Sequence, residues 1–341
     1  MSAFKWYGLG IVLLCIHLLA QPFTVYSSLE RRLLTTKLEL TFQDMLDQRF
    51  QDSLENLLND QMLGREWWMK ANTLKDTLLG RQIFDKVIVS EFGLHELWLE
   101  DSDQLIRNLA FIKAFETKFN GVVALVPHSG SLLNNSWHES SVLFSEDGYP
   151  ALREWLLLND KKESYFYQGD HHLNHFATPV MASYVLDRLG FELVSPSLKY
   201  CSEFSGTLSP YYLTFNPSLD SLWIYDSPIK EMKIGNKSYT GLHDLSACEG
   251  NNAYQGLLHG NHGWTQITTH NELGQSLLVI KDSHAHQLIP FLTPHYTNID
   301  VVDLRHYNGS IEAIMDNYDD VLVLVGEGSV RDDRNFFKLS R

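Results

Sequence analysis

The chain is poor in cysteine, short of positive charge and free of repeats, and each deficit removes a class of protein. Three cysteines occur in 341 residues, Cys15, Cys201 and Cys248. Their spacing fits neither a zinc ribbon nor a redox Cys-x-x-Cys pair, so it offers no metal–thiolate site. Cys15 falls inside an apolar run, which leaves Cys201 and Cys248 as a disulfide in an oxidising compartment or as two buried thiols. Separation in sequence does not say which, because it does not place their Cβ atoms. Lysine and arginine number 27 against 42 aspartates and glutamates, a formal net charge of -15. A protein that tracks nucleic-acid phosphates needs a clustered basic face, so a neutral or cationic partner suits this chain better. No internal repeat or low-complexity tract is present. With 44% hydrophobic residues the chain can bury a sizeable core.

What is present begins with an apolar run. Trp6 to Ala20 is almost unbroken hydrophobic sequence after Lys5, with no polar face. That is an export segment. It is short of the roughly 20 residues of a membrane span, but Phe23 to Tyr26 would extend it, and Val25-Tyr26-Ser27 offers a small-residue cleavage site. Signal peptide and uncleaved anchor both remain open, and either puts the body outside the cytoplasmic membrane.

Helical spacing follows at Phe42, Leu46, Phe50, Leu54, Leu57 and Leu58, and again from Trp67 to Leu78, ending near Gly80. Apolar strands then alternate with amphipathic helices. Strands are predicted at Val87–Val89, Val122–Val126, Tyr165–Tyr167, Phe191–Val194, Leu277–Ile280, Ile299–Val302 and Val321–Val325, and helices at Gln104–Phe119, His175–Leu189 and His284–Phe291. Runs of this kind predict an α/β fold with a mainly parallel sheet flanked by helices. Between Ser195 and Thr269 the pattern breaks into short segments, including a hairpin-like Tyr211 to Tyr225. The expected division is 1–28 signal peptide or anchor, 29–80 helical lead-in, and 81–341 α/β domain with a loop-rich insertion at about 195–270. Such insertions near strand ends are where α/β sheets place ligands.

Two clusters carry chemistry. In Gly169-Asp170-His171-His172, an extended backbone would put Asp170 and His172 on one side and His171 on the other. A carboxylate beside an imidazole fixes its tautomer, the support a general base needs. A loop salt bridge would look the same. The second cluster is a buried strand, Leu277 to Lys281, that breaks into Asp282-Ser283-His284 and a predicted helix. A serine at such a turn is placed as a nucleophile beside helix N–H groups, or serves simply as a helix cap.

Read with its neighbours, YQGDHHLNHFA resembles the Asp-His-His-Trp signature of the bacterial DHHW family, and VIKDSHAHQLIPFLTPHYTNIDVVDLRHY resembles that family's Lys-Asp-Ser segment and Asp-x-Arg strand. Asp60-Gln61-Met62-Leu63-Gly64-Arg65 resembles the Asp-x-x-x-x-Arg element ahead of the domain. The resemblance spans the chain from about Leu38 onward. It implies a circularly permuted SGNH-hydrolase-like fold related to the alginate O-acetylation proteins, in which Asp-x-His precedes Ser. The order Asp170, His172, Ser283 agrees. Two departures stand out. Leu173 replaces the signature tryptophan, and Gly326-Glu327-Gly328 follows the last strand where SGNH hydrolases carry an oxyanion asparagine.

The resemblance assigns Ser283 as nucleophile, His172 as base and Asp170 as its support. Asn261 and Arg305 are candidates for the oxyanion or the substrate, each with an ordinary structural role as alternative. No cofactor is required. The expected activity is polysaccharide O-acetylation in the cell envelope, with acetyl groups supplied through a membrane-bound O-acyltransferase. An O-acetylesterase and a non-catalytic carbohydrate-binding scaffold are the alternatives, and eight tryptophans and fifteen tyrosines suit a carbohydrate surface. Histidines 171, 172, 175, 259, 262, 284 and 286 also raise a zinc hydrolase as the rival enzyme.

Overall fold

A computed structural model of the chain describes residues 23–37, 49–97, 103–118, 121–133, 151–158, 165–250 and 253–340. The export segment Trp6–Ala20 and the first half of the lead helix lie outside them. Among the described residues, no helix is long and apolar enough to cross a membrane. They fall into two compact units, one built from the chain up to Asp85 with Ser209–Pro217, the other from Lys86–Leu208 and Ser218 onward.

In the first unit, strands β1 (Tyr26–Ser27) and β2 (Arg32–Leu33) pair antiparallel, followed by helices α1 (Arg49–Asp60) and α2 (Arg65–Leu78) and a short strand β3 (Ile83–Phe84). Asp60 and Arg65, the ends of the Asp-x-x-x-x-Arg element, close a knot of charge. Arg32 Nη2 lies 2.5 Å from Asp60 Oδ1, and Arg65 Nη2 donates to Glu30 Oε1 at 2.9 Å. Those cations hold both carboxyls below their ordinary range against the opposing effect of burial. α2 buries none of its residues, and its Trp67 and Trp68 meet edge to face 4.8 Å apart.

The second unit runs β4 (Val87–Ser90), β5 (Gly93–Glu96), α3 (Asp103–Lys118), β6 (Val122–Val126), α4 (Ser129–Leu133), α5 (Ala151–Leu157), α6 (Thr178–Leu189), then β7 (Ser197–Phe204) and β8 (Asp220–Asp226). It continues through β9 (Ile229–Ile234), β10 (Lys237–Tyr239), β11 (Trp264–Thr269), β12 (Ser276–Lys281), α7 (Ile289–Leu292), β13 (Asn298–Val302), α8 (Glu312–Met315), β14 (Asp320–Gly326) and α9 (Glu327–Asp332). Seven strands form the central sheet in the order β10-β9-β11-β13-β12-β14-β6. β13, β12, β14 and β6 run parallel, and β11, β9 and β10 extend them antiparallel.

The parallel strands are apolar on both faces because helices cover both. Along β6, Ala124 and Val126 face a layer containing Met181 and Val185 of α6, whereas Val123 and Leu125 face Leu105, Ile112 and Phe115 of α3. The same alternation splits Leu277 and Val279 from Leu278 and Ile280 on β12.

Five expectations need correcting. Tyr165–Tyr167 is not a strand but a single bridge between Phe166 and Leu173. Phe191–Val194 is not a strand either; Phe191 packs its ring against His295 and Tyr296, and pairing begins at Ser197. The hairpin pairs β8 with β7, while Ser209–Tyr211 forms a 3₁₀ turn. The helix after Ser283 is a 3₁₀ turn, Ser283–Ala285, and then the short α7. The stretch around 195–270 contains strands as well as loops, for β9, β10 and β11 belong to the central sheet.

Candidate active site

Asp170, His172 and Ser283 meet at the C-terminal ends of β12 and β14. Ser283 follows β12 at the first position of the 3₁₀ turn, with Asp282 as its cap: Asp282 Oδ1 accepts the His284 N–H at 2.9 Å. The other Asp282 oxygen accepts the Gly326 N–H at 2.7 Å and the Ser329 hydroxyl at 2.6 Å. The turn is therefore tied to the start of α9 before any substrate is present.

The loop carrying Asp170 and His172 is built by contacts distant in sequence. The Asp220 carboxylate accepts the Gln168 and Gly169 N–H groups at 2.7 and 2.8 Å, and the Gln168 carbonyl accepts Leu94 N–H at 2.7 Å. Gly206 lies so close that a Cβ there would fall 1.9 Å from the Gly169 oxygen. Asp170 Oδ2 accepts the Thr207 N–H at 2.8 Å, and Oδ1 accepts the His172 N–H at 3.0 Å and its Nδ1–H at 2.5 Å. His172 Nε2 is then 2.7 Å from Ser283 Oγ. With Nδ1 donating to the carboxylate, Nε2 is left to accept the serine proton, the polarity a general base requires.

Burial would raise the Asp170 pKa, but His172, His171 and the Thr207 N–H outweigh it and hold the carboxyl far below its ordinary value. Burial, joined by His171 and His284, pushes His172 below the ordinary histidine value despite Asp170. The pair is thus a carboxylate beside a neutral imidazole.

Among the described residues, a cavity of about 460 Å³ opens over Ser283, lined among others by His171, His284, Arg305, Glu96 and Glu327. His171 does not point away as an extended backbone requires. The loop is bent, so its ring lies 3.9 Å from that of His172 and its Nδ1 is 2.7 Å from Thr207 Oγ1. Arg305 lines the cavity with its guanidinium held by Asp303, at 2.9 Å through Nε and 2.6 Å through Nη2. Asn261 is not among the cavity residues. Its Oδ1 lies 2.8 Å from Lys281 Nζ and 3.1 Å from His286 Nε2, beneath the turn. Burial lowers Lys281 to about 8 against the pull of Asp303 and Asp282.

Ring nitrogens of His171, His172 and His284 come within 4.8 Å of one another, a donor type zinc accepts. Both nitrogens of His172 are engaged by Asp170 and Ser283, His171 Nδ1 by Thr207, and His284 Nδ1 by Asp282 at 3.0 Å. His172 could join a metal only by giving up one of its partners.

Sequence reasoning missed Tyr254, Thr207 and Asp220. Tyr254 stacks on His172, centroids 4.2 Å apart and planes 21° off parallel, giving the imidazole an aromatic neighbour where Leu173 is buried in the core. No spacing rule connects these residues to the cluster they serve. Cys201 and Cys248 are bonded, with Cα atoms 5.2 Å apart.

No protein-family model matches the chain, and no curated protein matches it. Solved structures do. A DHHW family protein from Eubacterium siraeum superposes with a TM-score of 0.57 at 16% identity, over 74% of this chain and 94% of that one. Bacillus cereus PatB1 gives 0.57 at 16% identity over 72% and 97%. Its structure with a sulfonyl adduct gives 0.59 at 16% identity over 74% and 97%. The chain therefore has the fold of a DHHW family protein and of PatB1.

Proposed function

We propose that the chain is an extracytoplasmic O-acetyltransferase of cell-envelope polysaccharide, working through an acyl-serine on Ser283. The observation that carries this reading is the hydrogen-bonded series Asp170–His172–Ser283, whose Ser283 lines a cavity. Ser283 Oγ attacks the acetyl carbonyl carbon while His172 Nε2 takes the serine proton. The tetrahedral oxyanion collapses, the donor oxygen leaves with the proton from His172, and acetyl-Ser283 remains. A sugar hydroxyl then attacks the acyl carbon, gives its proton to His172, and the ester passes to the sugar as that proton returns to Ser283. Asp170 stabilises the imidazolium formed at each stage. Arg305, already neutralised by Asp303, offers its remaining N–H groups to the acetyl carbonyl or a sugar hydroxyl. The Cys201–Cys248 bond suits an oxidising compartment, and a membrane-bound O-acyltransferase is the proposed source of acetyl groups.

The test is turnover of an aryl acetate together with mass-spectrometric labelling by an aryl sulfonyl fluoride. Wild-type protein should hydrolyse the ester slowly, acetylate an added glycan, and take one sulfonyl group on Ser283. Ser283→Ala should lose labelling and roughly 10⁴-fold or more of the rate while keeping its circular dichroism. Hydrolysis without transfer to any glycan would point to an esterase. A folded wild type that neither turns over nor labels, with Ser283→Ala still supporting envelope acetylation in cells, would leave a carbohydrate-binding scaffold.

A further inference from the structure

His284 follows the proposed nucleophile directly and takes no part in the proton transfers above. Its ring is gripped from three segments. On its own turn, Nδ1 lies 3.0 Å from Asp282 Oδ1. From the facing loop, the rings of His171 and His172 pack against it, with centroids 5.4 and 4.8 Å away. The third contact is with Gly326 at the end of β14, where a Cβ would fall 2.5 Å from His284 Cε1 and 2.8 Å from Nδ1, so a side chain there would displace the ring. The Gly326 N–H itself binds Asp282 Oδ2 at 2.7 Å, closing the arrangement. Ser283 sits in the chain between the two residues so fixed, Asp282 and His284.

We propose that His284 is a positioning residue: held by Asp282, by the rings of His171 and His172 and by the bare face of Gly326, it locks the Ser283 turn onto the Gly169–His172 loop and sets the 2.7 Å contact from Ser283 Oγ to His172 Nε2. This rests on reading Ser283 as the nucleophile. It also accounts for the missing asparagine after β14, because the space at the start of that junction is filled by an imidazole that only glycine admits.

The clamp should depend on protonation. The imidazolium holds the Asp282 carboxylate through a charge-assisted hydrogen bond, which weakens to a neutral one when the ring loses its proton. The charged and titratable groups around the ring are Asp282 on its own turn, Asp170, His171 and His172 in the facing loop, and Glu327 at the start of α9, on the same cavity. Burial opposes charge on His284, but Asp282, Asp170 and the His171 backbone outweigh it and raise its pKa above the ordinary value. The grip is therefore complete below that raised pKa and weakens as pH rises through it.

The experiment compares wild type, His284→Asn and Gly326→Ala by crystallography and by aryl acetate kinetics across pH. In both variants the Ser283–His172 separation should exceed about 3.5 Å. Their kcat should fall about 10- to 100-fold, the scale of an ångström's misplacement of a reacting group, with KM changed by less than about twofold. Wild type should lose rate on the alkaline side, and that limb should vanish in His284→Asn. The proposal is overturned if both variants keep the hydrogen bond and the wild-type rate. Should Gly326→Ala fail to fold, His284→Asn decides alone. If wild type shows neither turnover nor sulfonyl labelling, the nucleophile assignment falls, while the crystallographic distance in the variants still decides whether His284 holds the turn.

Discussion

At the scale of single residues, the site is a division of labour among carboxylates. Asp170 accepts three N–H groups, two from His172 and one from Thr207, so both of its oxygens face donors. An asparagine cannot satisfy that arrangement, since its amide nitrogen must meet one of those N–H groups head on. Asp170→Asn should turn the amide toward whichever side costs least and favour the wrong His172 tautomer, lowering kcat by roughly 10³- to 10⁴-fold with KM little changed. Steady-state kinetics on an aryl acetate check this, and a loss under about tenfold would mean that Asp170 only anchors the loop. An extended backbone would point His171 away from the site, but the bent loop does not. The His171 ring against His172 makes His171→Gln a change inside the site.

At the scale of elements, the residues around His172 are held by β7 and the turns that follow β10 rather than by the parallel strands of the central sheet. The disulfide joins β7, at Cys201, to the 3₁₀ turn Leu245–Glu249 that contains Cys248. That turn packs on the next one, Ala253–Gly256, so closely that a Cβ on Gly256 would meet the Asp244 oxygen at 2.5 Å. Tyr254 rides on this second turn and stacks on His172. With the cysteines 47 positions apart in sequence, loop-closure entropy puts the contribution of the bond at about 4 kcal/mol. Cys201→Ser should lower the urea midpoint accordingly and reduce kcat as Tyr254 loosens. An unchanged midpoint in denaturation with and without reductant would count against the bond as a structural element.

At the scale of the whole molecule, charge buried beneath the sheet ends couples stability to pH. Asp170, Asp282 and Asp303 all have folded pKa values below the unfolded carboxylate value, each held there by partner cations or N–H donors despite burial. Their stabilisation is complete above the unfolded value and is lost as pH falls below it. Burial also depresses His95 to about 4, and His128 and His172 are lowered for the same reason. The folded state therefore resists their protonation while the unfolded chain accepts it, so stability declines from about pH 6.5 downward and more steeply below about pH 4. Thermal melts across this range should show both phases, and Asp282→Asn should flatten the lower one. A melting temperature constant from neutral pH to pH 4 would contradict the burial of these groups.

The sequence by itself determined the local facts. Apolar runs of β-branched residues located β6, β12, β13 and β14 to within a residue or two, since a strand covered on both faces is mostly apolar along its length. The abrupt polar turn and the Asp-x-His spacing marked Ser283, His172 and Asp170 as candidates only with the family resemblance beside them; alone, each cluster reads equally well as a helix cap or a loop ion pair. Partners supplied from elsewhere in the chain were not legible. Tyr254, Thr207 and Asp220 reach the site from segments distant in sequence, His171 turns inward because its loop is bent, and Asn261 is claimed by Lys281 and His286. Each of these depends on approach between segments tens of residues or more apart. Periodicity reports only the face a residue takes within its own element, so which segments meet there was decided by the packing of the sheet and by the Cys201–Cys248 bond.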